Sequence, residues 1–287
     1  MFLREREKMR SKVFISGAAG GLGKAFAVEC ARRGWDLYLT DLDQSQLDEL
    51  AGGLSRTYSV EVDTIAGDLM APDSRESIFK QIEESNVRFR GLINVAGLDV
   101  EGNFQERTRK EVRGIVRLNV EGTLEVTHHL LARTDPMSEF WIITVSSLAA
   151  FFPIPVKATY AASKRFLLDF SLALRDELRS RGASITTLCP AGLPTTQSAL
   201  EGIEAQGLIG RLTTRNVGYV ARLTVKKALE GKSIVVPGFI NQLMRWAGGF
   251  LPPAWLSSLL GRRWRNARRN RPDMIPDGSR FPEMTQV

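Results

Sequence analysis

The stretch Val13-Phe-Ile-Ser16, Gly17-Ala-Ala-Gly-Gly-Leu-Gly23, then Lys24 to Arg33 constrains this chain more than any other. Its first four residues read as a short buried strand, the glycines as a tight turn, and the periodicity beyond them as a helix. That order brings the free N–H groups of a helix N-terminus to a point where a phosphate can sit. Gly17, Gly20, Gly21 and Gly23, with Leu22 among them, let backbone approach a pyrophosphate and let helix pack closely on strand. The spacing Gly17-x-x-x-Gly21-x-Gly23 is not the GxGxxG fingerprint, and a glycine turn alone is equally a plain bend.

The alternation continues downstream. Asp36 to Thr40, Val60 to Ala66, Gly91 to Asn94, Phe140 to Val145, Ser184 to Leu188 and Ser233 to Pro237 read as strands. Gln44 to Leu54, Asp73 to Ser85, Thr108 to Ala132, Ala158 to Arg181 and Asn216 to Glu230 read as helices. Strand and helix in turn predict one α/β domain over residues 11–238, a doubly wound parallel sheet of about seven strands with helices on both faces.

Composition narrows the class. The 287 residues are 43% hydrophobic and 25% charged, ordinary for a globular protein. Cys30 and Cys189 lie far apart, which excludes a disulfide framework or a cysteine metal cluster and predicts two buried thiols. Met1 to Lys12 alternates acids and bases without the apolar stretch of a signal peptide, so a cytoplasmic location is expected. No run reaches the roughly 18 apolar residues that a membrane span needs. The net charge of +7 is uneven: residues 231–272 hold Lys232 and seven arginines with no acidic residue, leaving the body nearly neutral.

Several residues stand where chemistry needs them. Asp41 ends the second strand about 20 positions after the glycines, where a carboxylate accepts from a ribose 2′-hydroxyl and repels a 2′-phosphate. It therefore argues for NAD over NADP; the bland alternative is a cap on the next helix, a job Asp43 can take instead. Asp68, after the third strand, fits an adenine-side contact or a turn. Asn119 sits among apolar neighbours in mid-helix, where asparagine is a poor helix former. Ser146 and Ser147 are delivered at the carboxyl end of a buried strand, the edge where open sheets bind ligands. Tyr160 and Lys164 fall one helical turn apart. An ammonium beside the phenol draws its pKa down from ~10 and makes Tyr160 a proton-transfer group, although a Tyr-x-x-x-Lys pair also arises by chance. His128 and His129 are adjacent, cannot share a helical face, and predict a solvated or subunit-facing pair, not a metal site. Residues 192–213, with Leu193, Leu200, Ile203, Leu208, Ile209 and Leu212, fit a flap over an apolar ligand or an ordinary long loop.

Taken together, Ser16 to Gly23, Asn94-Val-Ala-Gly97, Asn119, Ser147, Tyr160-Ala-Ala-Ser-Lys164 and Pro190 to Thr195 resemble the short-chain dehydrogenase/reductase family, in the family's order and over residues 11–238. The segment Lys232 to Asn241 is similar to a subgroup of DltE-like oxidoreductases. The resemblance implies a Rossmann-type fold and a tetrad. Tyr160 is then the general acid/base, Ser147 holds the substrate oxygen, Lys164 lowers the phenol pKa and holds the nicotinamide ribose, and Asn119 holds a proton-relaying water. It also places Asp68, Leu69, Asn94, Ala96, Gly97, Pro190 and Thr195 around the cofactor, and implies a homodimer or homotetramer through the helices near 108–132 and 158–181. Two positions depart from the pattern: Val95 replaces a second asparagine, and Ala191 replaces the glycine after Pro190.

Beyond the domain, Phe239 to Leu251 repeats apolar residues with helical spacing, Pro252-Pro253 breaks it, and Leu256, Leu260 and Trp264 continue on one stripe before an arginine cluster. Residues 239–271 therefore read as an amphipathic basic helical extension, and 272–287 as a loose tail. Packing on the domain or a second subunit, and peripheral contact with a membrane, are the open readings; no aromatic-basic motif supports nucleic acid. The expected activity is NAD-dependent interconversion of an apolar secondary alcohol and ketone. The competing readings are a catalytically silent dinucleotide-binding regulator and a membrane-surface, NADP-linked reductase of lipid-like ketones.

Overall fold

The computed structural model describes residues 11–194, 213–250, 252 and 254–261. Seven parallel strands form one sheet: β1 (Lys12–Ser16), β2 (Leu37–Asp41), β3 (Val62–Ala66), β4 (Phe89–Asn94), β5 (Trp141–Val145), β6 (Ser184–Leu188) and β7 (Ile234–Val235), in the order β3-β2-β1-β4-β5-β6-β7. The order reverses between β1 and β4, and in such sheets the crevice outside the carboxyl ends at that reversal is where a ligand sits. Strands with both faces covered need apolar residues at successive positions, and β1 and β5 are buried throughout.

Helices α1 (Gly21–Arg32), α2 (Gln44–Tyr58) and α7 (Val217–Leu229) cover one face, where Leu22, Phe26, Leu47, Val220 and Val225 pack on Val13, Ile15 and Ile143. On the other face α3 (Pro72–Glu84), α5 (Thr123–Leu131) and the end of α6 (Ala158–Glu177) bring Ile78, Phe79, Ile82, Val126 and Leu130 onto Phe14, Leu92 and Ile142. Caps match the local sequence: Asp43 accepts from Gln46 N at the start of α2, and Asn216 accepts from Gly218 N and Tyr219 N at the start of α7. The capping job near β2 thus belongs to Asp43, which leaves Asp41 for another.

The expected long helix 108–132 is divided. α4 (Arg109–Val116) opens with a Thr108/Glu111 capping box, and a π-helical segment, Arg117–Gly122, then leads into α5. Asn119 lies inside it, and wide turns of this kind tend to mark functional positions. Across the segment, the fully buried Arg75 guanidinium is held by Glu121, by Glu125 (Nε to Oε2, 2.5 Å) and by the carbonyl of Leu69 (2.8 Å). A buried cation is tolerable only when paired in this way. His129 stacks on Phe79 at 4.3 Å, while His128 is exposed. Cys30 and Cys189 are both buried and unbonded.

α8 (Phe239–Phe250) lies against the domain: Asn241 is fully buried and its amide donates to the carbonyls of Thr213 and Pro237. Residues 254–261 are helical again. No helix among the described residues is long and apolar enough to cross a membrane.

Candidate active site

The glycine turn is built by steric necessity. Gly17 has φ +67°, and a Cβ there would lie 2.7 Å from Ala96 N; a Cβ on Gly23 would lie 2.0 Å from Gly17 O. The two glycines thus close the turn against the loop after β4 and against the start of α1. Gly20 is the N-cap of α1 and makes no side-chain bond to its first turn, so the N–H groups of Gly21, Leu22 and Gly23 stand at a positive helix end. Asp41 sits beside this turn: its Oδ2 accepts from Ala19 N at 2.8 Å and its Oδ1 from Leu42 N at 2.8 Å. A carboxylate at the end of β2 next to a glycine-lined helix start fits a nicotinamide dinucleotide, with anion at the helix and hydroxyl at the acid.

Ser16 is a residue that spacing alone did not single out. Its hydroxyl accepts from Val95 N (3.2 Å) and Ala96 N (3.3 Å), tying the end of β1 to the loop after β4. Asn94 is buried and donates to Thr127 Oγ1 at 3.0 Å, fastening β4 to α5. Asp68 Oδ1 accepts from Met70 N, and Leu69 is buried in the core with its carbonyl on Arg75. Both shape the turn after β3.

Asn119 is fully buried and its amide is engaged on every side. Nδ2 donates to Leu98 O and to Ser163 Oγ, both at 3.0 Å, and Oδ1 accepts from Leu98 N at 2.7 Å. It therefore joins the π-helical segment, the loop after β4 and helix α6. Gly97 is where the groups meet: a Cβ there would lie 3.1 Å from Lys164 Nζ and 3.3 Å from Asn119 Oδ1.

At the carboxyl end of β5, Ser147 accepts from Ala149 N at 3.1 Å, and its hydroxyl favours the phenolate form of Tyr160. Ser146 donates to the carbonyl of Lys164 at 2.6 Å, and Ser163 donates to that of Tyr160 at 2.8 Å, so two hydroxyls fix the first turns of α6. Lys164 Nζ donates to Val145 O at 2.9 Å and lies 5.8 Å from the centre of the Tyr160 ring. Pro190 O accepts from Leu148 N at 2.7 Å, which anchors the loop after β6 to Ser147's neighbour. Ala191 packs its methyl group into an apolar cluster with Leu148, Leu168 and Cys189. Thr195 and most of the flap segment lie outside the described residues.

The electrostatics correct one expectation. Tyr160 is not acidified in the chain by itself: burial, reinforced by the Asp99 carboxylate, pushes its phenol up to about 12. Lys164 beside the ring does not outweigh burial and Asp99, and burial pulls its own ammonium down to about 8. A second cation is closer. Lys157 Nζ lies 5.4 Å from the ring centre and pairs with Asp99 (2.6 Å) and Glu101 (2.5 Å). Burial disfavours the ammonium of Lys157, but the two carboxylates prevail and hold it charged. The signal for this cluster was present as Asp99-x-Glu101, two acids on one side of an extended segment, and Lys157 just ahead of α6.

The model of the short chain dehydrogenase family matches residues 11–203. The chain belongs to the short-chain dehydrogenase/reductase family. That family is one of NAD(P)-linked oxidoreductases, and its homologues act on hydroxyl and keto groups. Among its relatives, the very-long-chain 3-oxoacyl-CoA reductase-A of Danio rerio is 26% identical over 268 residues, covering 91% of this chain and 80% of that one. The very-long-chain 3-oxoacyl-CoA reductase of Phaeosphaeria nodorum is 33% identical over 175 residues, covering 60% of this chain and only 51% of the relative's length. A short-chain dehydrogenase from Sphingobium yanoikuyae, solved in complex with NADPH, superposes with a TM-score of 0.70 at 23% identity, over 96% of this chain and 98% of that one. That likeness speaks to the fold. Among the described residues no group of three or more His, Cys, Asp or Glu is arranged to hold a metal.

Proposed function

We propose that this protein interconverts an apolar secondary alcohol and its ketone, with NAD as the preferred dinucleotide. The observation that carries the reading is the Tyr160 ring at the carboxyl end of β5, with Lys164 Nζ 5.8 Å from its centre and the Ser147 hydroxyl favouring its phenolate, at the same sheet edge as the glycine turn. Gly17 to Gly23, Asp41, the 94–97 loop, Lys164, Pro190 and Thr195 would hold the dinucleotide, which when bound would supply the hydride acceptor or donor. Ser147 holds the substrate oxygen, and Tyr160 takes the hydroxyl proton in oxidation or returns it in reduction. A phenol at about 12 is a reluctant base in the chain alone, and a positive charge brought close to it by a bound oxidised dinucleotide would favour its phenolate. Lys164, at about 8, exchanges protons readily near neutral pH and can restore the proton that Tyr160 moves. Asn119 acts as a positioning residue through Leu98 and Ser163.

Asp41 supports NAD, because its carboxylate stands where a 2′-phosphate would add negative charge. The relatives' names support a keto substrate on a long apolar chain, and a homodimer or homotetramer in the cytoplasm completes the reading. The test is turnover of a panel of lipophilic alcohols with NAD and NADP. Tyr160→Phe should lower kcat by at least about 10³-fold with NAD affinity retained, and Asp41→Ala should narrow the NAD/NADP affinity ratio. Loss of both turnover and NAD binding in Tyr160→Phe would make the tyrosine structural. Intact NAD binding with no turnover of any alcohol or ketone by the unmodified protein would favour the silent-regulator reading.

A further inference from the structure

The helix α8 is mounted with its most apolar side outward. Phe239, Leu243, Trp246 and Phe250 are 77%, 59%, 67% and 81% exposed. On a repeat of 3.6 residues these four fall within about 60° of one another, a single stripe along the helix. The opposite side faces the protein: Asn241 is buried, Met244 packs on the cluster around Phe151 and Phe152, and a Cβ on Gly248 would lie 2.2 Å from a Phe152 ring carbon. Asn241, Met244 and Gly248 thus face the domain while four large apolar side chains face outward, the reverse of a helix that serves only to cover a domain. The pattern continues past Pro252, where Trp255 (74%) and Leu259 (62%) are exposed while Leu256 is buried. Of the fourteen large apolar side chains exposed among the described residues, six lie in this short stretch. A patch of this kind marks an interaction surface.

Charge identifies the occupant. The sequence from Gly231 to Pro272 has no acidic residue and carries Lys232, Arg245, Arg262, Arg263, Arg265, Arg268, Arg269 and Arg271, on a chain whose remainder is nearly neutral. A protein interface built only on apolar residues needs no such bias, whereas an interfacial helix on an anionic membrane uses both. The helix also rests on Phe151 and Phe152, four and five residues after Ser147, so the face lies beside the active-site loop.

We infer that the Phe239–Leu243–Trp246–Phe250 stripe and the helical turns after it seat the protein on an anionic lipid surface, with the active-site loop close to it. An apolar substrate dissolved in that surface would then reach the site without crossing water. The docking itself does not depend on the redox reading, and its test reads lipid binding alone.

The full chain is floated with vesicles of phosphatidylcholine alone and of phosphatidylcholine with phosphatidylserine. Binding is expected at least about tenfold tighter to the anionic vesicles, and to fall at least about tenfold in Leu243→Ser/Trp246→Ser/Phe250→Ser. Because the three side chains are exposed, the thermal midpoint and NAD binding of this variant should match the parent. In the unmodified protein, brominated acyl chains should quench fluorescence only with anionic vesicles present, which keeps the test independent of the variant's folding. Absence of binding to either vesicle, equal binding by parent and variant, or absence of quenching would overturn the inference. So would a lipid-independent oligomer that the triple variant dissociates, since that would assign the stripe to a second copy of the chain.

Discussion

Replacing Asp99 by asparagine should move the pH dependence of alcohol oxidation to the acid side. The carboxylate lies 2.6 Å from Lys157 Nζ, which lies 5.4 Å from the Tyr160 ring centre, so the negative charge is within about 8 Å of the ring. At that distance and an effective dielectric constant of about 20, a unit charge is worth about 2 kcal/mol, or about 1.5 pK units. Asp99 is 36% exposed, and solvent screening reduces the shift to between about 0.5 and 1 unit. An anion disfavours the phenolate, so removing it lowers the phenol from about 12. The freed positive charge of Lys157, now shared with Glu101 alone, acts in the same direction. Asparagine keeps an oxygen to accept from Lys157, and Glu101 still pairs with it, so the local fold is preserved. The assay is kcat/KM against pH at saturating NAD, in which the limb reporting the general base should shift down by that amount. A limb that stays in place, or moves to alkaline pH, refutes the claim that Asp99 sets the reluctance of Tyr160 to ionise.

Gly23→Ala should lower stability by about 2–3 kcal/mol and weaken NAD binding, because its Cβ would lie 2.0 Å from Gly17 O, whereas Gly20→Ala, with 3.5 Å to the same atom, should be nearly neutral; equal urea midpoints for the two variants would contradict this account of the turn. Asn119→Ala removes the partner of Leu98 N and Leu98 O and should cost about 2–4 kcal/mol, with kcat falling as the loop before Asp99 loosens; an unchanged denaturation midpoint would show that the loop is held by other means.

Much of the site was legible because it is local. The strand, glycine turn and helix at 13–33 form one continuous segment, and a Cβ on Gly23 has no room against Gly17 and Ala18 of the same turn, whereas the crowding at Gly17 comes from Ala96 and exists only in the folded chain. Ser147 follows a strand that is buried throughout, so burial pattern alone puts it at the sheet's carboxyl edge. Tyr160 and Lys164 share a helix face by periodicity. The π-helical segment escaped notice because a wide turn keeps the apolar spacing of an α-helix within one residue, and only the bonds of Asn119 to Leu98 and Ser163 reveal why it is there.

From the chain of residues alone follow the element order, the parallel sheet and the motifs of a candidate tetrad, since periodicity, glycine sterics and motif spacing are properties of short stretches. The folded structure alone decided the charge state of the site. Asp99 and Lys157 are 58 residues apart along the chain yet 2.6 Å apart in space, and this pair, with burial, governs the phenol more than the lysine one turn away. It also decided which side of α8 meets the domain. Coulomb energy and burial depend on distances between segments remote in sequence, and those distances exist only once the sheet and its helices have closed around them.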